Sequence, residues 1–429
     1  MANRVANLGN KIDKILSEDA IPIKDVILEN TIFLNKEIDI TKEISMNNDV
    51  EKEKVLSIPD LSLEEFEVPE NSNTGVLTSH GGSVEVAFVG VGQGGSRLAE
   101  SFYGLGYKKC IVMNTALHDL HHINVPDSQK LHIGDKQSGA GKNMEMGKLA
   151  AENHKQELYN KMLEVFGTNV DRIFVTVGAG GGTGGGSCET VINVALKYMT
   201  YIEKEDVNNK VGVIVALPTS GECASPDVAK NSHELLNKLS SKTENKEIAP
   251  LLVVDNDKIK RLYPNLTVKS FWPTVNNTIA GLYHTLNVIT THSSAYTTFD
   301  PTDYNSLLSQ HGFMIMGCTT VRDPSTSELS KAIKSNLEKT LLAGGLNLST
   351  AKGVGVVILG GASLFENIAG LMGSIEAAFD TVATIVGNAL VHRGIYEVES
   401  DKLRVYTLIS GLSKPKERIE ELLKFHKNT

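Results

Sequence analysis

The stretch GAGGGTGGGS at residues 178–187 packs seven glycines into ten positions, directly after the apolar run RIFVTVG (172–178). A tight turn needs one or two glycines, not seven. Bare backbone can approach a ligand closely and aim several N–H groups at one anion. The amphipathic helix expected to begin near Cys188 would add the positive end of its dipole. A phosphate-binding loop fits this run best, with a plain turn as the bland alternative.

Similar apolar runs recur on either side: VEVAFVG (84–90), KKCIVMN (108–114), VGVIVALP (211–218) and PLLVVDN (250–256), with helical stretches between them. Such alternation argues for an α/β chain built on a parallel sheet, whose ligands sit at the carboxyl ends of the strands. The glycine-rich loops fall at those ends. From Trp272 to Thr291, Val275, Ile279, Leu282, Leu286 and Ile289 recur at helical spacing and predict a long central helix. Beyond it, HGFMIMGCTTV (311–321), KGVGVVILGG (352–361) and KLRVYTLISG (402–411) alternate with helical segments near 327–343 and 366–390, a smaller α/β unit. The expected organisation is an extension at 1–68, a turn-rich linker at 69–83, a nucleotide domain at 84–270, the central helix at 271–292, a second domain at 293–413, and a tail helix at 414–429. In the tail, Ile419, Leu422, Leu423 and Phe425 are available to dock.

A second glycine loop, GVGQGG (90–95), matches G-x-G-x-x-G. A dinucleotide fold would also want an acid at the end of its second strand to bind the ribose, and Val112-Met113-Asn114-Thr115 supplies none. A Walker-type loop is missing as well. With both loops in view, Gly180-Gly181-Gly182-Thr183-Gly184-Gly185-Gly186 resembles the tubulin/FtsZ signature G-G-G-T-G-[ST]-G, and the likeness runs from 84 to about 413. Gly92-Gln93-Gly94-Gly95 looks like the first nucleotide loop of that family. Gly139-Ala140-Gly141-Lys142-Asn143 looks like its γ-phosphate loop, and Asn256-Asp257-Lys258 like its N-D-K.

The resemblance implies GTP as ligand, with Mg²⁺ held mainly through the phosphates. It also implies contacts from Gly92, Gln93, Gly94, Arg97, Gly139, Ala140, Gly141, Asn143, Gly180, Gly181, Gly182, Thr183, Gly184, Gly185, Glu222 and Asn256. Trp272, Asn276 and Asn277 fall in the register of the base contacts, Trp272 to stack and Asn277 to read the guanine edge. Core packing is the alternative for Trp272. Four positions depart from the family pattern, one of them Thr298, which replaces an Asn and removes its amide. Gly185 replaces a hydroxyl, which predicts weaker phosphate binding or a slightly reshaped loop, Ala116 replaces an acid, and Arg97 stands where relatives carry a neutral amide.

Thr298-Phe299-Asp300-Pro301-Thr302-Asp303 occupies the register of the family's N-x-D-x-x-D/E, which assigns Asp300 and Asp303 as catalytic acids acting on the neighbouring subunit's γ-phosphate. By spacing alone, Asp-Pro-x-Asp is a good helix start, with Asp300 as N-cap. Both roles are compatible.

Residues 1–83 hold 16 acidic and 8 basic side chains, a net −8 of the chain's −9. The remainder is nearly neutral and offers no basic stripe for DNA, so nucleic-acid cargo would need an adaptor, held by the acidic extension or the C-terminal helix. No apolar run suits a membrane helix, the polar N-terminus lacks a signal peptide, and the four cysteines show no metal-ligand spacing, so no metal site is assigned and cytoplasm is expected. The short C-terminal tail looks like that of plasmid- and phage-encoded relatives. A GTPase that polymerises with itself to position or segregate DNA or phage particles is the reading favoured. A divergent division-ring protein and a non-polymerising GTP-binding regulator remain as alternatives.

Overall fold

The computed structural model describes residues 80–427, apart from 136–138, 263–265, 322–323 and 339–344. The expected extension at 1–68 and linker residues 69–79 lie outside the described residues. In chain order the elements are β1 (Val86–Val91), α1 (Gly92–Gly104), β2 (Cys110–Asn114), α2 (Leu117–His121), β3 (Lys130–His132), α3 (Met144–Phe166) and β4 (Arg172–Gly178). There follow α4 (Gly182–Tyr201), β5 (Val211–Leu217), α5 (Pro226–Glu244), β6 (Leu251–Asp255), α6 (Asn256–Leu262), α7 (Val268–Ile289) and α8 (Pro301–Leu308). The last are β7 (Phe313–Val321), α9 (Thr326–Glu338), β8 (Gly353–Gly360), α10 (Ala362–Asn367), α11 (Leu371–Val386), β9 (Leu390–Glu397), β10 (Leu403–Leu412) and α12 (Lys416–Lys427).

The strands form one sheet in the order β3-β2-β1-β4-β5-β6-β7-β10-β8-β9. From β3 to β7 every pairing is parallel, whereas β10 runs antiparallel to both β7 and β8. The strands of the expected second domain therefore continue the first sheet, through the pairs Leu251/Phe313 and Leu252/Met314. Two strands differ from expectation. β3 is too short for a pattern, and β9 falls where a helix was expected to end. As an edge strand β9 is buried only at Gly394–Tyr396 and carries His392 and Arg393, so it lacks the apolar run that marks its neighbours.

The chain is packed from its first described residues. His80 stacks on Tyr107 with ring centroids 3.9 Å apart. The fully buried Asn287 of α7 pairs with Val84 like a strand, accepting its N–H at 3.0 Å and donating to its carbonyl at 3.0 Å. Residues 80–83, expected in the linker, belong to this packed body. The central helix α7 starts at Val268, earlier than expected, because Thr267 caps it and Pro273 is accommodated inside. It buries Val275, Ile279, Leu282, Tyr283 and Leu286, each side chain contributing about 1.5–3 kcal/mol. In the tail helix Ile419 and Leu422 are buried, and the side chains of Leu423 and Phe425 lie outside the described residues.

Arg172, at the start of β4, is 1% exposed and has no carboxylate partner among the described residues. Its guanidinium donates to the carbonyls of Asn209 and Ala249 and to Ser309 Oγ just past α8, at 2.7, 3.0 and 3.0 Å. Burial pulls it down to about 10, still high enough to keep the charge at neutral pH. Arg172 thus fixes α8 against the amino end of β4. The four cysteines are free, and burial pushes the thiols of Cys110 and Cys188 up to about 12, leaving neither reactive.

Candidate functional site

Parallel strands turn their carboxyl ends to one edge, so the segments after β1, β2, β4, β5 and β6 assemble there. The strand order reverses between β1 and β4, a point where α/β sheets open a crevice. Helices α1 and α4 both start in it. Neither has a side-chain cap, and neither has an acid in its first turn. Two helix N-termini side by side turn the positive ends of their dipoles toward an anion, the first N–H of α4, at Gly182, being already donated to the Gly141 carbonyl at 3.0 Å.

Glycine lets them converge. Gly92 has φ +69°, and a Cβ built on it would lie 3.0 Å from the Gly184 nitrogen. The glycine run itself differs from expectation. Only Ala179–Gly181 is loop, and α4 begins at Gly182, not near Cys188. Gly182 and Gly186 serve helix packing: a Cβ on Gly186 would stand 2.0 Å from the Met144 carbonyl, and one on Gly182 would stand 2.7 Å from Asn143 backbone atoms. A Cβ on Gly185 would point at the Met144 side chain, 3.1 Å away. The missing hydroxyl at 185 therefore faces α3, which removes the ground for expecting weaker phosphate binding from it. Gly181, by contrast, has open space around its Cβ position, as does Gly141 at φ +59°.

Residues without a recognisable motif tie these loops together. Thr115 Oγ1 lies 2.6 Å from Thr183 Oγ1 and accepts from the Ala140 N–H at 2.9 Å. Asn231 Nδ2 of α5 donates to the Lys142 carbonyl at 2.8 Å and to the Gly180 carbonyl at 3.4 Å. Asp119 accepts from Gln93 Nε2 and Asn114 Nδ2, at 3.2 and 3.1 Å. All three were missed in sequence, where only the Asn114-Thr115-Ala116 triplet hinted at them.

The remaining expected residues are distributed around this cradle. Asn143 caps α3, accepting from the Met146 N–H at 3.0 Å, while Gly139 packs on Ala116. Glu222 is exposed and turned back on Thr219, accepting from its N–H at 2.8 Å. Asn256 is buried, and its Oδ1 has no hydrogen-bond partner among the described residues. Beside it Asp257 is held below its ordinary range, burial notwithstanding, by the Ser220 N–H. Beneath, Arg418 of α12 grips Asp255 in a bidentate pair at 2.8 and 3.0 Å. Trp272 is half-buried, edge-on to Phe271 with ring centroids 5.0 Å apart, and is not a core residue. Asn276 and Asn277 follow one turn later, Asn277 exposed, on a helix that packs against α1. Arg97, half-buried on α1, makes no ion pair among the described residues.

Asp300 and Asp303 stand elsewhere. They form a reciprocal capping box at the start of α8, Asp300 Oδ1 accepting from the Asp303 N–H at 2.8 Å and Asp303 Oδ2 from the Asp300 N–H at 3.3 Å. The capping role is realised. Arg172 anchors the carboxyl end of α8 at the amino end of β4. At the other end of α8 Asp303 meets His392, which pairs with Gly355 near the amino end of β8, whereas Gly178 ends β4 at the cradle. A strand of this length separates its ends by about 20 Å at 3.3 Å per residue. Within one chain, the acids and the glycine cradle lie on opposite edges of the sheet. Among the described residues no group of three or more His, Cys, Asp or Glu stands ready to hold a metal, and no helix is long and apolar enough to cross a membrane.

Residues 85–264 match the family described as Tubulin/FtsZ family, GTPase domain. The chain is similar to the cell division protein FtsZ of Buchnera aphidicola, at 26% identity over 343 residues, 76% of this chain and 79% of that protein. In fold it is similar to a GTPγS-form protofilament of TubZ from Bacillus thuringiensis serovar israelensis, with TM-score 0.70, 22% identity, and coverage of 82% of this chain and 94% of that one. A type III plasmid segregation TubZ aligns with TM-score 0.67 and 19% identity, covering 82% and 94% of the two chains. Between residues 85 and 264 the chain carries a tubulin/FtsZ-family GTPase domain, set in a TubZ-like fold.

Proposed function

We propose that this protein is a GTP-dependent filament former whose catalytic site is completed by the next subunit. One observation carries the proposal: the uncapped glycine cradle and the acid pair sit on opposite edges of one sheet. A head-to-tail array brings the acids of one subunit over the nucleotide of the next, and such heterologous contacts propagate into filaments. Exposed apolar side chains at both edges support this. Met146 and Leu149 follow the Gly139–Asn143 loop, while Tyr296 and Leu390 flank the acids.

In the proposed site, the N-termini of α1 and α4 hold the phosphates, Trp272 stacks on the guanine, and Asn277 reads its edge. The unpaired Asn256 Oδ1 takes a hydrogen bond from the nucleoside, since a buried oxygen without a partner is costly. Glu222 contacts the ribose after releasing Thr219. Asp300 and Asp303 of the neighbour orient a water. Its oxygen bonds to the γ-phosphorus as the bond to the β–γ bridging oxygen breaks, the electron pair remaining on GDP. The carboxylate takes the water's proton and passes it to the released phosphate. We infer that Mg²⁺ is carried mainly by the phosphates, because the described residues gather no ligand cluster of their own. Cytoplasm is the proposed compartment, and DNA or phage particles the proposed cargo, held through an adaptor.

Electron microscopy of the purified protein tests the filament directly. GTP and a slowly hydrolysed analogue should give filaments, GDP should not, and added double-stranded DNA should leave the filaments bare. Tight GTP binding with no assembly at any concentration would make the protein a non-polymerising regulator instead.

A further inference from the structure

The acid pair is held asymmetrically, and the cause lies on the edge strand. His392 Nδ1 stands 2.7 Å from Asp303 Oδ1, and its Nε2 lies 3.5 Å from Ser306 Oγ, so both ring nitrogens face α8. The imidazole is 13% exposed and packs near the Phe299 ring at 6.4 Å. Arg393, next along the strand, lies over the Phe379 ring at 4.8 Å and so points away. Two residues beyond His392, a Cβ on Gly394 would strike the Phe299 Cβ at 2.8 Å, which shows how closely β9 approaches. Tyr396 then takes the Phe299 N–H at 2.7 Å and donates to the Phe299 carbonyl at 2.9 Å. Strand β9 therefore grips the residue before Asp300 and the acid after it.

The oxygens are occupied unequally as a result. Asp303 has Oδ1 on His392 and Oδ2 on the Asp300 N–H. Asp300 has Oδ1 on the Asp303 N–H, and its Oδ2 carries no hydrogen bond among the described residues. We infer that His392 is a positioning residue for GTP hydrolysis: it fixes Asp303, Asp303 fixes the Asp300 backbone, and Asp300 Oδ2 is the oxygen presented to the water of the neighbouring subunit. The inference rests on the proposed role of the acid pair.

Two variants of the full chain test it, His392→Leu, which removes the donor, and His392→Asn, which keeps a donor near the place of Nδ1, with Asp303→Asn as the control. In assembled filaments His392→Leu should hydrolyse GTP about tenfold more slowly, because small displacements of an orienting group are costly. His392→Asn should recover most of that loss. GTP affinity and the critical concentration for assembly should stay at wild-type values in both. Wild-type hydrolysis by His392→Leu, with Asp303→Asn inactive, overturns the positioning role alone. Equal slowing in the two His392 variants, or loss of assembly in either, makes His392 a structural residue and also overturns it. Wild-type hydrolysis by Asp303→Asn overturns the reading of the acid pair itself.

Discussion

Asp300→Asn is expected to slow GTP hydrolysis by about 10²–10⁴-fold, the span typical for losing one positioned general base, while GTP affinity stays nearly unchanged. Asparagine caps a helix about as well as aspartate. The N-terminus of α8, where Asp300 accepts from the Asp303 N–H, should therefore survive the change and only the charge is lost. Asp300→Ala would remove the cap too, at a cost of about 1 kcal/mol, and so mixes stability with catalysis. Affinity is insulated because the acids stand at the edge of the sheet opposite the cradle. Filaments of the variant should persist with GTP retained. Kinetics of nucleotide release and phosphate production on the same sample check this. If Asp300→Asn hydrolyses normally while Asp300→Ala merely melts lower, the pair is a helix cap and nothing more.

The glycines should divide into two groups by substitution to alanine. At Gly186 a methyl group would stand 2.0 Å from the Met144 carbonyl, inside the closest approach of α3 and α4. Backbone cannot swing aside as a side chain can, so Gly186→Ala is expected to destabilise the protein by about 3 kcal/mol, at the upper end for overpacking. At Gly181 the same methyl group meets nothing within 4 Å, and the backbone there is extended, with φ −88°. Gly181→Ala should keep wild-type stability to within about 0.5 kcal/mol, yet weaken GTP binding at least tenfold because the methyl group enters the cradle. Thermal melting without nucleotide, together with GTP titration, separates the two effects. A Gly181→Ala protein with undiminished GTP affinity would move the phosphates elsewhere.

That division explains how much the sequence could disclose. A strand buried on both faces is an apolar run, and β1, β2, β4, β5, β6, β7, β8 and the antiparallel β10 all announce themselves so. The edge strand β9 does not, because one flank is open and its side chains are mixed. Motifs fixed by contiguous residues were legible as well: the two glycine runs, Gly139–Asn143, Asn256–Lys258 and Asp300–Asp303. What those glycines do was less legible, since glycine at Gly186 answers a helix approaching from α3, not a ligand. Nor were the residues that hold the motifs in register. Thr115 meets Thr183 across 68 residues, Asn231 meets Lys142 across 89, and Arg172 meets Ser309 across 137. Each is an ordinary polar residue in sequence, and only the closure of the sheet brings its partner near. The same holds for His392, whose carboxylate partner lies on another element.

The proposed shared site has one consequence that a catalyst complete within one chain would not share. In the proposed split site, no acid pair would face a bound nucleotide below the concentration at which subunits assemble, and each added subunit would complete a site above it. Hydrolysis per subunit, measured against total protein concentration alongside light scattering, should be near zero until scattering begins and then rise steeply to a plateau. A rate per subunit that is already at its plateau well below the onset of assembly would contradict the split site, and would place catalysis within one chain.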